Sequence, residues 1–358
     1  MKCYAVNDWD PLKSVALGSF MDPAIVKDIF NHSFYKDFLP IAQRLADETW
    51  HDLNVIQQKL EDLGVEVIRP NQEVLSNLQL EQAETLKLNL DTNTTSIAAN
   101  VFMGKIPIPL APRNDMMVYK DIIFTNGSEP CFIDLDQFEN KIIDAYEMDW
   151  GYVHWPAVTR VNNRLVFGDE FSSKLIDSVM SYFPDSTFTS TDIRGHVDAS
   201  LACIKEGVLL TTERNADEVY EETFPGWKTI PSGTNGYRHM CNQLTGYNMP
   251  HEEIINSIKT NSDNKWHIEG FEKQGNADKI AEVINNTLSN WFGYSEETYF
   301  EVNCLTINPE LSMVIGDSDS IRDELKKVDH EIISVDWRNR WFFDQGLHCL
   351  TQDLIRTK

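Results

Sequence analysis

The sequence contains no apolar run approaching the roughly 18 residues that span a membrane. Its opening, Met1 to Asp8, lacks the long apolar stretch of a secretory leader. The six cysteines, at 3, 131, 203, 241, 304 and 349, form no CxxC pair, which disfavours a disulfide framework and a zinc cluster. Basic residues are scarce: 31 Lys and Arg stand against 56 Asp and Glu, for a net charge of −25. Nucleic-acid binding needs clustered Lys and Arg, so that class is set aside. No Gly-rich loop opens a helix, so a phosphate cradle is absent as well. The expectation is a reduced, cytoplasmic protein with neither a membrane nor a nucleic acid as partner. The acidic residues are spread along the chain. They serve solubility and would draw small cations toward the protein.

With 358 residues and 42% hydrophobic content the chain has material for a substantial core, and no linker divides it. One domain over 1–358 is expected. Residues 12–18 read as a strand. Apolar residues from Leu45 to Leu63 recur at helical spacing, Gly64 stops them, and residues 65–68 alternate as a strand. A helix followed by a strand recurs at 173–183 with 187–193, and at 320–328 with 331–335. Strand pairs lie between these units: 116–120 with 121–125, 199–204 with 208–212, and 300–307 with 311–315. This strand-pair, helix, strand repetition suggests pseudo-symmetry rather than a doubly wound sheet. Residues 72–105 and 232–297 fit the repeat poorly and read as insertions, the second with a helix near 278–292.

Two segments carry candidate chemistry. Gly346-Leu347-His348-Cys349 places one thiol after a glycine that permits a sharp turn or a close approach, and it reads as displayed at a strand-like edge. Most cysteines are small buried hydrophobes, so a nucleophile needs partners. Gly195-His196-Val197-Asp198-Ala199 supplies an imidazole and a carboxylate two residues apart. On an extended strand they share a face. A thiol, a base and a carboxylate form a nucleophilic constellation for a cationic substrate.

These two segments resemble the amidinotransferases of the guanidine-modifying (pentein) superfamily. Further matches in family order are the opening strand Val6 to Gly18, the segment Leu110-Ala111-Pro112-Arg113-Asn114, and Glu301-Val302-Asn303-Cys304-Leu305. Each is short, and their ordered co-occurrence from residue 4 to residue 356 makes the signal specific. The resemblance implies an α/β fold, a five-bladed pseudo-symmetric propeller of ββαβ modules around one central site. It implies that Cys349 attacks a guanidino donor, that an amidino-cysteine forms, and that an amine acceptor then takes the amidino group. His196 would move protons and Asp198 would hold the guanidinium. Neither a metal nor an organic cofactor is implied, and a homodimer is the analogy from relatives. The alternatives are a hydrolase of the same superfamily and a non-catalytic binding protein.

The chain departs from the family at two acidic positions. Where the family has Pro-Arg-Asp this chain has Asn114, and Asp115 would face the other way on a strand. Where an acid orients the catalytic histidine, the chain reads His154-Trp155-Pro156-Ala157. Glu301 is the expected replacement, sharing a strand face with Asn303, with Asp149 as a second candidate. Arg113, Asn114, His154, Asn303 and Gln345 are expected to line the substrate pocket, and Arg214 to meet a substrate carboxylate.

Overall fold

Among the described residues, five three-stranded sheets of one pattern organise the chain. The computed structural model describes residues 1–30, 39–88, 107–127, 133–193, 196–212, 220–232, 301–316, 319–338, 343 and 345–357. In every sheet a central strand runs antiparallel to one neighbour and parallel to the other. The first sheet joins the two chain ends: β15 (Thr351–Arg356) lies beside β1 (Leu12–Leu17), which pairs with β2 (Glu66–Ile68). The others follow in sequence. They are β3–β5 (Met116–Tyr119, Ile122–Thr125, Lys141–Asp144) and β6–β8 (Val158–Val161, Arg164–Phe167, Thr187–Ser190). Next come β9–β11 (Leu201–Lys205, Val208–Thr211, Lys228–Pro231) and β12–β14 (Leu305–Asn308, Leu311–Ile315, Glu331–Val335).

The pattern follows from local chemistry. A hairpin gives the antiparallel pair in four sheets and the two chain ends give it in the first, whereas a parallel partner needs a crossover. Helices Leu39–Asp62, Ser173–Met180 and Asp319–Lys326 supply it in three sheets, as the helical periodicity predicts. Ser172 caps the second of these by accepting from the Leu175 amide. The helix Leu39–Asp62 ends at Gly64, whose φ of 76° a side chain rarely adopts. Its inner face, with Leu53, Ile56 and Leu60, packs on Val15, Leu17 and Val65.

Of the two expected insertions, Gln72–Leu88 forms a helix, and the rest of 72–105 lies outside the described residues. The 232–297 segment, with its helix near 278–292, lies almost wholly outside them too.

The segments that carry the motifs differ from expectation in one consistent way. They are short helical turns placed immediately before the first strand of a sheet, not strand. Pro112–Asp115 precedes β3, Trp155–Ala157 precedes β6, Val197–Ser200 precedes β9, and Leu347–Leu350 precedes β15. The residues before β12, Glu301 to Asn303, likewise form a turn. In a helical turn each residue rotates by about 100°, so residues two apart face nearly opposite directions. The shared-face arguments for His196 with Asp198 and for Glu301 with Asn303 therefore do not hold. The same correction removes the strand argument separating Asn114 from Asp115.

Candidate active site

The turns pack against one another. The Leu347–Leu350 turn contacts Pro112–Asp115, which contacts Trp155–Ala157, which contacts Val197–Ser200. Asn303 then spans from the Asp198 carbonyl back to the Cys349 thiol. One site thus draws on all five sheets.

Cys349 sits at its centre, 5% exposed. Asn303 clamps it. The Asn303 Nδ2 donates to Sγ at 3.1 Å, its Oδ1 accepts from the Cys349 amide at 3.1 Å, and its carbonyl accepts from the His348 amide at 3.2 Å. This close fit explains Gly346. Its φ of −95° is open to any residue, but a Cβ there would lie 2.4 Å from the Asn303 side-chain oxygen. The glycine serves the close approach of the Asn303 side chain.

Asp198 is buried beside the thiol. Its Oδ2 lies 3.9 Å from Sγ and accepts a 2.7 Å hydrogen bond from His348 Nδ1. Its Oδ1 is buried without a hydrogen-bond partner. Burial would raise the Asp198 carboxyl, but the His348 hydrogen bond and the nearby positive charges hold it below its usual value. Burial first, then the charge of Asp198, pushes the Cys349 thiol well above its usual value. The resting thiol is therefore protonated. His348 is lowered by burial and by Arg113, against the pull of Asp198, so it is neutral at neutral pH.

Two more acceptors lack donors at this place. Asn114 Oδ1 and Gln345 Oε1 are buried and unpartnered. Asn114 lies on the turn packed against Cys349, and Gln345 precedes Gly346. Buried polar atoms are satisfied as a rule, so each such exception calls for a reason.

His196 precedes the Asp198 turn, half-buried, with the ring of His154 at 5.8 Å between centroids. Burial and His196 lower the His154 imidazole. Among the described residues no carboxylate pairs with His196, so the expected replacement of the missing acid by Glu301 or Asp149 is not met. Glu301 is buried next to the Asn303 turn, and Asp149 is exposed in a turn at φ 58°. Arg214 lies outside the described residues.

Arg113 behaves differently from the pocket residue expected. Its Nε donates to the carbonyls of His348 and Thr351, and its Nη2 donates to Asp353 at 2.6 Å. It faces inward, into a charged cluster behind the thiol. There Asp353, fully buried, also meets Arg160 and Arg356, and Arg160 pairs with Asp8. Burial alone would raise the Asp353 carboxyl, but the three guanidiniums hold it well below its usual value. Beside this cluster lies a narrow cavity lined by Asp8, Thr159, Asp198, Thr306 and His348.

The sequence reading missed His348 as the partner of Asp198, and missed the Arg160–Asp8–Asp353 cluster. For His348 the one available signal was its position next to Cys349. No group of three or more His, Cys, Asp or Glu side chains among the described residues could hold a metal, and no described helix is long and apolar enough to cross a membrane.

No family model matches the sequence, and no curated protein matches it by sequence. Solved structures do. SxtG, an amidinotransferase from Microseira wollei in the saxitoxin biosynthetic pathway, superposes with a TM-score of 0.59 at 14% identity, over 99% of this chain and 98% of its own. The inosamine-phosphate amidinotransferase StrB1 from Streptomyces griseus gives 0.58 at 15% identity, over 99% and 97%. The fold is that of the pentein amidinotransferases.

Proposed function

We propose that the chain is an amidinotransferase-like enzyme that moves an amidino group from a guanidino donor, arginine or an analogue, to an amine. The observation that carries the reading is the setting of Cys349. Its thiol meets the Asn303 amide and the Asp198 carboxylate, whose Oδ1 is buried and unpartnered, and Asn114 and Gln345, on the turn packed against the Cys349 turn and beside Gly346, carry further unpartnered buried oxygens. A guanidinium offers five N–H donors in one plane and suits such acceptors. The five sheets are proposed to stand as blades of a propeller in a single domain, with the five turns meeting at its axis.

In the proposed reaction the donor places N–H groups on Asp198 Oδ1 and on the amide oxygens of Asn114 and Gln345. Its positive charge next to Sγ favours the thiolate, which the empty site disfavours. The thiol proton passes to His196. Sγ attacks the central guanidino carbon, and the C–N bond to the leaving amine breaks as His196 returns the proton to it. An amidino-cysteine remains. The acceptor amine attacks the same carbon, loses a proton to His196, and the C–S bond breaks to free the thiolate. Glu301 is proposed to add negative charge near the substrate, and Arg214 to meet a substrate carboxylate. The cytoplasm and a homodimer remain the proposed location and assembly.

Intact mass after incubation with arginine and a panel of guanidino compounds tests the reading. One amidino group on Cys349, absent in Cys349→Ala, supports it. Ureido products released without an acceptor amine assign the hydrolase instead. Binding without adduct or turnover assigns a non-catalytic protein.

A further inference from the structure

We propose that His348 is a positioning residue for this site: its Nδ1–H fixes Oδ2 of Asp198, so that the carboxylate presents Oδ1 alone to the substrate. The inference rests on the reading above for the identity of the substrate, but its physical content does not.

Three observations meet in it. The His348–Asp198 hydrogen bond is short, at 2.7 Å, and links residues 150 apart in sequence. Asp198 Oδ1 is buried and empty-handed, while Oδ2 is taken. The His348 backbone is itself held at both ends, its amide on the Asn303 carbonyl and its carbonyl on Arg113 Nε at 2.9 Å. A carboxylate accepts and does not donate, so Nδ1 carries the ring proton. The imidazole has little freedom, and it transfers that order to the carboxylate. Asp198 therefore makes single-oxygen contact with a substrate, not a two-oxygen fork.

The charged and titratable groups around the pair are Arg113 and Asp8, which act on His348, and Arg113, His196 and Cys349, which face Asp198. None of them donates to Oδ2 except His348 and the weak thiol contact. Removing the imidazole leaves Asp198 buried with no strong donor, and its carboxyl then titrates higher.

The test separates the hydrogen bond from the volume. His348→Leu keeps the bulk and loses the donor. His348→Asn loses bulk and keeps an N–H near Nδ1. The Asp198 carboxyl is followed by carbon-13 NMR of aspartate-labelled protein, assigned with Asp198→Asn, and kcat/KM is measured on whichever guanidino donor the enzyme turns over. The expected result is an upward-shifted Asp198 titration in His348→Leu with about a 10- to 100-fold loss in kcat/KM, the range for a hydrogen bond to a charged group. His348→Asn should restore most of both. An unshifted Asp198 in folded His348→Leu, or equal impairment in both variants, overturns the proposal. The NMR titration needs no turnover. A shift seen in a protein that turns over no guanidine sustains the positioning role and sinks the proposed function.

Discussion

Two buried polar regions lie back to back, and they differ in how completely they are satisfied. Behind the thiol, both oxygens of Asp8 and Asp353 are engaged: Arg160 holds Asp8, and Arg113, Arg160 and Arg356 hold Asp353. On its other side, in the turns that carry Asp198, Asn114 and the residues before Cys349, Asp198 Oδ1, Asn114 Oδ1 and Gln345 Oε1 have no donor among the described residues. A saturated cluster has no capacity left for a ligand and acts as scaffold. An unsaturated one keeps its capacity for something that arrives. Arg113 joins the two, with Nη2 on Asp353 and Nε on the His348 carbonyl. The scaffold thereby fixes the turn that carries Cys349.

The sharpest break of this contrast is Asp353→Asn. It removes the one carboxylate that three buried guanidiniums share, leaving only Arg160 an acid partner, Asp8, and should destabilise the protein by roughly 3–5 kcal/mol in urea unfolding. Asp198→Asn should be milder in stability, about 1.5–3 kcal/mol, and should act mainly on ligand affinity. Equal loss of stability in the two variants would erase the distinction between scaffold and site.

Next in size is Gly346→Ala. The added methyl meets Asn303 at 2.4 Å and must displace the side chain that clamps Cys349. Steady-state kinetics should fall about 100-fold, as for a displacement of about 1 Å at a reacting group, with the melting temperature changed far less.

Asn114→Asp sharpens the contrast from the other side. It adds charge to the unsatisfied region and should tighten binding of an alkylguanidinium about tenfold by calorimetry. No change would place Asn114 outside the substrate contacts.

The smallest effect concerns pH. Burial lowers His330, and burial with nearby positive charge lowers His348 and His154, all from an ordinary value of 6.5. Below that value the unfolded chain binds more protons than the folded one, so stability falls as pH drops. A second decline begins below about 4, where Asp198 and Asp353, held low in the fold, are protonated in the unfolded chain. Replicate melts between pH 8 and 3 should record both steps.

Much of this arrangement was legible from residues. The hairpins, three crossover helices and the motif positions follow from alternation, periodicity and ordered short matches. The helical turns did not. Val197, Ala199, Leu347 and Leu350 are buried like the strands they lead into, and four residues are too few to reveal a helical period. The clusters were hidden for another reason. Arg160 meets Asp8 across 152 residues and Asp353 across 193, and no local pattern encodes such a meeting. The loss of acids at Asn114 and His154 was readable, but the response was not. An amide oxygen and a second histidine stand at those two positions, and among the described residues no carboxylate pairs with His196.

The central claim is that the unsatisfied region surrounds a nucleophile. Acid-quenched intact mass and peptide mapping during incubation with guanidino compounds test it most directly. One amidino group on Cys349 is expected, lost in Cys349→Ala and discharged by an acceptor amine. Turnover of a guanidino compound by Cys349→Ala, with no adduct on the wild-type thiol, would contradict it.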